Sequence, residues 1–96
     1  MLRVGGEVDL FTAPKVKEQI LDLLNSGTTK LVVDLEQVSF MDSTGIGVLI
    51  GALRRLKERD GKLALVCPQG PVLRVLEVTG LGKVFEIHDS VDQAIA

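Results

Sequence analysis

The chain has 96 residues, of which 46% are hydrophobic, and its net charge is −2 at pH 7. This length predicts one domain, residues 1–96, whose core needs neither disulfides nor metal. An acidic balance without Trp or Tyr argues against nucleic-acid binding, and no apolar run could span a bilayer or serve as a signal peptide, so we expect a cytoplasmic protein.

The first part of the chain predicts two strands with a helix between them. Leu2 to Leu10 shows short apolar alternation around a Gly-Gly pair, which is typical of a strand with a bulge. Thr12 is a good N-cap residue, and the proline two positions later suits a first helical turn. That helix should stop at residues 25–27, Asn-Ser-Gly. Leu31 to Leu35 is nearly all apolar, as in a parallel strand covered on both faces.

The rest of the chain continues the alternation of strands and helices. A second turn is expected after Leu35, before an apolar segment from Val38 to Met41. The later predicted elements are a helix whose apolar face runs from Ile46 to Leu56 and which ends at Asp60-Gly61, a strand from Leu63 to Cys67, a helix from Pro71 to Thr79, a strand from Val84 to Ile87 and a terminal helix capped by Ser90. This order predicts an α/β fold with about four mainly parallel strands and four helices.

The segment Asp42-Ser43-Thr44-Gly45 is the most informative part of the sequence. It places a carboxylate and two hydroxyls at the positive end of a predicted helix, where partners of open α/β sheets commonly meet the fold. Gly45 and Gly47 each cost up to about 1 kcal/mol relative to Ala in a helix, which indicates that another group comes close. A purely structural interpretation stays open, with Asp42 or Ser43 as a cap and the glycines as packing residues.

Catalytic and metal sites are poorly supported by the residue spacing. A serine-hydrolase elbow needs G-x-S-x-G, and Met41 occupies the first glycine position around Ser43. The single histidine, His88, is expected at the surface of a strand end rather than in a triad. An aspartyl-phosphate receiver needs an acidic pair and a lysine beside Asp34, and Glu36 and Asp9 match that pattern only weakly. Without a phosphate-binding glycine loop or a Cys/His cluster, we expect no enzyme activity, cofactor or metal.

Nucleic-acid binding and thiol chemistry are also not favoured. Glu58 and Asp60 interrupt the one basic run, so an exposed helix face explains it; the run contains Arg54, Arg55, Lys57 and Arg59. Cys67 is the only cysteine and lies in an apolar segment, which predicts a buried, inert thiol.

Taken together, these motifs resemble the bacterial anti-sigma factor antagonists and their STAS-domain relatives. The resemblance covers essentially the whole chain. It is carried by Gly6-Glu7-Val8-Asp9 and the helix after it, by Leu31 to Leu35, by Ser39 to Val48, and by Val78-Thr79-Gly80-Leu81. It implies one STAS domain over residues 1–96 and a regulatory protein that performs no chemistry of its own.

The resemblance implies a switch between partners. In this family the unphosphorylated antagonist binds an anti-sigma factor that is also a serine kinase, and thereby frees the sigma factor. The kinase phosphorylates the serine after the loop aspartate, here Ser43 with Thr44 as the lesser candidate, and a PP2C-type phosphatase reverses this. The partner-binding residues implied are Asp9, Thr12, Asp42, Ser43, Thr44, Gly45 and Gly47.

Three alternatives accompany this interpretation. The chain could be a constitutive STAS adaptor of a transport or signalling complex, although the intact Ser43-Thr44 pair favours the switch. Asp9 is expected beside Ser43, because parallel strands end at the same edge of a sheet, but it could instead be a solvated turn residue. Relatives commonly have a further strand before the Gly6-Glu7 strand, and without such a strand we expect an open sheet edge and a monomer or a weak dimer.

Overall fold

The computed structural model describes residues 1–96 and shows strands and helices in alternation. The elements are β1 (Leu2–Val8), α1 (Ala13–Asn25), β2 (Lys30–Met41), α2 (Ser43–Lys57), β3 (Lys62–Val66), α3 (Pro71–Val78), a 3₁₀ turn (Leu81–Lys83), β4 (Glu86–His88) and α4 (Val91–Ile95). All neighbouring strands pair in parallel in the order β1-β2-β3-β4, which confirms the predicted fold class and leaves β1 at one edge. No helix combines the length and apolar character that a membrane crossing requires.

The sheet has a large core on one face and a small one on the other. Helices α1, α2 and α3 cover the first face, where alternate strand residues such as Val33 and Leu65 are buried. Only α4 covers the second face, through Ala94, which packs in a cluster with Val32 and Val66. Because β2 and β3 are covered on both faces over this length, their sequences are continuously apolar rather than alternating.

Strand β2 is longer than its sequence pattern predicted. The turn expected after Leu35 is wrong, because β2 continues to Met41. Its pairing with β3 ends at Asp34, and beyond that point β2 pairs with β1 alone. Glu36 and Gln37 are exposed there, so polar residues are tolerated inside the strand. The predicted bulge in β1 is confirmed by two register shifts beside Gly5 and Gly6.

Two further strand boundaries differ from the predicted ones by two residues, and the others differ by at most one. β1 ends at Val8 instead of Leu10, because the next residues form a hydrogen-bonded loop. β4 begins at Glu86 instead of Val84, because the 3₁₀ turn bonds the amides of Val84 and Phe85 to the Leu81 carbonyl. The apolar character of Phe85 therefore reflects its burial in the core rather than a place in a strand.

The basic run has a structural explanation within the helical layer. Arg54, Arg55 and Lys57 lie exposed in the last turn of α2, where the helix dipole favours cations. Arg59 donates from Nη1 to the carbonyl of Leu24 at 2.7 Å, which ties the end of α2 to the end of α1. These contacts agree with the expected surface role of the run.

Candidate functional site

The ends of β1 and β2 meet where the polar segment begins. The Asp42 amide donates a hydrogen bond of 3.1 Å to the Val8 carbonyl at the last residue of β1. Asp9 follows Val8 in the chain, and Ser43 follows Asp42. The structure therefore brings Asp9 and Ser43 to the same carboxyl edge of the sheet, as the strand order suggested.

Asp42 is the residue that caps α2. Its Oδ1 accepts from the amides of Thr44 at 2.9 Å and Gly45 at 3.1 Å, and its carbonyl accepts from Ile46. With these first amides satisfied, the helix begins at Ser43, so of the two predicted cap residues, Asp42 and Ser43, it is Asp42 that caps. Asp42 thus has the purely structural role of a helix cap, because its carboxylate is hydrogen-bonded to amides of its own chain.

Ser43 is free of that capping task and stands at the surface. It is exposed as the first residue of α2, whereas Thr44 is half-buried. A modifying enzyme would reach the Ser43 hydroxyl more easily than the Thr44 hydroxyl. The positive end of the helix dipole lies at this position, so added negative charge is electrostatically tolerated.

The two glycines of the first turns have different environments. A Cβ atom on Gly45 would lie 2.8 Å from Met41 Cγ, 2.8 Å from Val8 Cγ1 and 3.2 Å from the Val8 carbonyl oxygen. Gly45 is buried and lets the start of α2 pack against the end of β1. Gly47 is exposed, and a Cβ there would have no atom within 4 Å. Internal packing therefore explains Gly45 but not Gly47.

The loop from Asp9 to Thr12 is fixed by its own hydrogen bonds. Asp9 Oδ1 accepts from the amides of Phe11 at 2.9 Å and Thr12 at 3.0 Å. Thr12 Oγ1 donates to the Glu7 carbonyl at 2.8 Å and accepts from the Asp9 amide at 2.9 Å. The amide of Thr12, followed by that of Phe11, lowers the pKa of the Asp9 carboxyl below its ordinary value. Asp9 is thus an ionised residue that organises the loop.

Thr12 stands at the N-cap position of α1, but its side chain does not cap the helix. The amide of Pro14, the second helical residue, has no hydrogen to donate, so one of the two usual cap donors is missing. The hydroxyl turns back to the Asp9 loop instead. The prediction of Thr12 as the N-cap residue is confirmed for its position, but its side chain makes no capping hydrogen bond.

Sequence reasoning missed two apolar residues in the same loop. Leu10 and Phe11 are 64% and 87% exposed. Their position between Asp9 and Thr12, where loops are normally polar, is the signal that could have revealed them.

The remaining candidate residues lie away from this edge or inside the core. His88 ends β4 but is level with Val66 of β3 and Asp34 of β2, well before the end of β2 at Met41. Its Nε2 lies 3.0 Å from Glu86 Oε2. Asp34 sits in the middle of β2 rather than at its end, and accepts from the Glu36 amide. Cys67 is buried as predicted, and burial raises the pKa of its thiol to about 11. No cluster of three or more acidic, His or Cys side chains could hold a metal.

Comparisons with known proteins identify the family. The STAS domain model matches residues 1–94. The anti-sigma-B factor antagonist of Listeria monocytogenes is 43% identical over 86 residues, which cover 90% of this chain and 75% of that protein. An anti-sigma factor antagonist from Mycobacterium paratuberculosis has a crystal structure that superposes with a TM-score of 0.88 at 30% identity, covering 97% of this chain and 79% of that one.

A third similar protein is Bacillus SpoIIAA, an anti-sigma factor antagonist. Its phosphorylated form gives a TM-score of 0.73 at 28% identity and covers 97% of this chain and 84% of that one. Its unphosphorylated form gives a TM-score of 0.74 at 28% identity and covers 95% of this chain and 79% of that one. The chain belongs to the STAS-domain family, as its motifs predicted. These relatives are regulators, which supports the prediction that the chain is not an enzyme.

Proposed function

We propose that this STAS-domain protein is an anti-sigma factor antagonist switched by phosphorylation of Ser43. Its unphosphorylated form binds an anti-sigma factor that is also a serine kinase, and the sigma factor is released. The observation that carries this proposal is the position of Ser43, exposed as the first residue of an Asp-capped helix beside the Asp9 loop. The existence of SpoIIAA in phosphorylated and unphosphorylated forms supports the same switch here.

The fold itself should survive phosphorylation. A phosphate on Ser43 adds about −1.5 to −2 charge at neutral pH. The helix dipole favours such a charge by about 0.3–1 kcal/mol, while the neighbouring Asp42 carboxylate repels it by a similar amount. The Thr44 and Gly45 amides already donate to Asp42. The phosphate is therefore stabilised by the helix dipole but receives no hydrogen bonds from those two amides. The two effects roughly cancel within the chain.

A docked partner experiences a larger effect. If the kinase surface covers Ser43, phosphorylation buries a group of nearly two charges without a prepared counter-charge, at a cost of several kcal/mol. Each 1.4 kcal/mol is about tenfold in affinity, so binding falls by orders of magnitude. The switch therefore works through local charge and steric exclusion, and a PP2C-type phosphatase restores the binding form.

A constitutive STAS adaptor is the second candidate, and the exposure of Ser43 favours the switch over it. The deciding experiment incubates the chain with ATP and the purified anti-sigma factor kinase of the same organism, then locates phosphate by mass spectrometry. We expect one phosphate on Ser43 and none on the Ser43→Ala variant. Equal phosphorylation of that variant, or none of the parent chain, would refute the proposed switch.

A further inference from the structure

Leu10 and Phe11 are held in an exposed position by a loop with little freedom. Phe11 is 87% and Leu10 64% exposed, although single exposed apolar residues are common and by themselves mean little. Here the pair is adjacent, and the Asp9 carboxylate accepts from the amides of Phe11 and Thr12. The Thr12 hydroxyl closes the loop on the Glu7 carbonyl. The backbone that carries both side chains is thus ordered before any partner arrives.

This loop lies beside the phosphorylation site proposed above. The bond between the Val8 carbonyl and the Asp42 amide joins the residue before Asp9 to the residue before Ser43. A partner that covers Ser43 therefore also meets the Asp9 loop. Exposed aromatic residues on a rigid backbone bind with a small entropy cost and commonly dominate the affinity of an interface.

We propose that Leu10 and Phe11 form the apolar anchor that inserts into the anti-sigma factor kinase when it docks at Ser43. The inference rests on the proposed function and adds residues that carry the affinity of that interface. It also revises the part expected of Asp9, which acts first by fixing the loop that presents the anchor. The kinase should offer an apolar pocket with basic side chains at its rim.

The charges around the anchor select this occupant over others. Glu7, Asp9 and Asp42 place three carboxylates around the loop and the helix start. The nearest cations along the chain are Arg3, which pairs with Asp34, and Lys15, in the first turn of α1. A second copy docked through the same face would set carboxylates against carboxylates. Anionic lipids and nucleic acids would be repelled in the same way. A protein surface with a basic rim is complementary.

The basic rim is compatible with the switch. Cations that face Glu7 and Asp9 are already paired in the complex with the unphosphorylated chain. A phosphate on Ser43 then meets no free counter-charge, and it adds bulk at a surface that was in contact. The anchor supplies affinity for the kinase, and phosphorylation of Ser43 prevents the docking that this affinity would otherwise drive.

The test compares Phe11→Ser and Leu10→Ser with a matched control, Val78→Ser. Val78 is 81% exposed, and it ends α3, which runs back toward the opposite edge of the sheet. Calorimetric titration of the purified anti-sigma factor kinase of the same organism, with ADP present to prevent phosphorylation, should show at least a tenfold loss of affinity for Phe11→Ser. Leu10→Ser should lose less, and Val78→Ser should stay within about twofold of the parent.

Circular dichroism should show the same melting temperature for all three variants, because each removes an exposed side chain. If Phe11→Ser binds like the parent, the anchor is refuted while the proposed function stands. If the parent itself does not bind the kinase, the proposed function fails and the anchor with it. If Phe11→Ser changes self-association in sedimentation equilibrium instead of kinase binding, the occupant is a second copy and the inference is wrong.

Discussion

The Val8 carbonyl accepts a hydrogen bond of 3.1 Å from the Asp42 amide, which fastens the end of β1 to the residue that caps α2. Because of this bond, the Asp9 loop and Ser43 keep a fixed position relative to each other. Gly45 permits it, since a side chain there would collide with Val8. A binding partner thus meets the loop and the serine as one surface, although more than 30 residues separate them in sequence.

Removal of the Asp42 carboxylate should destabilise the protein. Asp42→Ala leaves the Thr44 and Gly45 amides without their acceptor, and the loss of a helix N-cap costs about 0.5–2 kcal/mol. Urea denaturation should show this decrease in the free energy of unfolding. Asp42→Asn retains a capping oxygen and serves as the control. Its free energy of unfolding should decrease by less than that of Asp42→Ala. Equal stability of parent and Asp42→Ala would contradict the assigned cap.

Alanine at the two glycines should have effects of opposite sign. Gly45→Ala introduces a Cβ 2.8 Å from two carbon atoms, and overpacking of this kind costs about 1–3 kcal/mol. Gly47→Ala meets open space and gains helix propensity of up to about 1 kcal/mol. Chemical denaturation of both variants measures the difference. A destabilised Gly47→Ala would show that Gly47 has an internal role that the structure does not reveal.

Much of this fold could be predicted from its sequence, and the exceptions have physical causes. Apolar runs and stop signals located every strand and helix, because burial of one or both faces of an element requires apolar residues at regular positions in the sequence. Glu36 and Gln37 suggested a turn, because a sequence does not reveal that β2 has lost one neighbour there and can expose polar side chains.

The candidate site was harder to predict in detail than the fold. Asp42 and Ser43 are both good caps, and only backbone geometry decides between them. Gly45 and Gly47 look alike in the sequence, although one is buried and one is exposed. Exposure of Leu10 and Phe11 depends on a loop held by hydrogen bonds of the Asp9 and Thr12 side chains, and hydrophobic periodicity does not report such bonds.

Two substitutions at Asp9 should separate its charge from its hydrogen bonds. Asp9→Asn retains an oxygen for the Phe11 and Thr12 amides but loses the charge, so we expect weaker kinase binding with a nearly unchanged melting temperature. Asp9→Ala also frees the loop and should bind more weakly still. Calorimetry with circular dichroism measures both. Unchanged binding by both variants would return Asp9 to a solvated turn residue.

The Asp9 loop should also respond to acid. Its hydrogen bonds lower the folded-state pKa of the carboxyl below 3.8, so the unfolded state binds the proton more readily. The stabilisation that Asp9 provides is therefore present above about pH 3.8 and is lost as the pH falls through the lowered pKa. As the pH falls below about 3.8, the parent should lose stability relative to Asp9→Asn, which has no carboxyl to protonate at this position. A constant difference between them down to pH 2 would contradict this.

The thiol of Cys67 should be inert in the folded protein. It is 1% exposed, and burial raises its pKa from 9.0 to about 11. A thiol-specific reagent at pH 8 should react slowly in buffer and rapidly in concentrated urea. The thiol has a higher pKa in the folded state than in the unfolded state. Its contribution to the free energy of unfolding is therefore fully present below about pH 9 and is lost as the pH rises through about 11. Rapid reaction of the folded protein would show that the thiol is accessible.

The affinity of the anti-sigma factor kinase for three forms of the chain tests the central claim most directly. Calorimetric titration in the presence of ADP should give equal affinities for the parent and Ser43→Ala. Ser43→Asp should bind more weakly, because it adds about one charge at the covered surface, and the Ser43-phosphorylated protein should bind weakest, by at least a hundredfold. All forms should have the same circular dichroism spectrum. Equal kinase affinity of the phosphorylated and unphosphorylated proteins would contradict the switch.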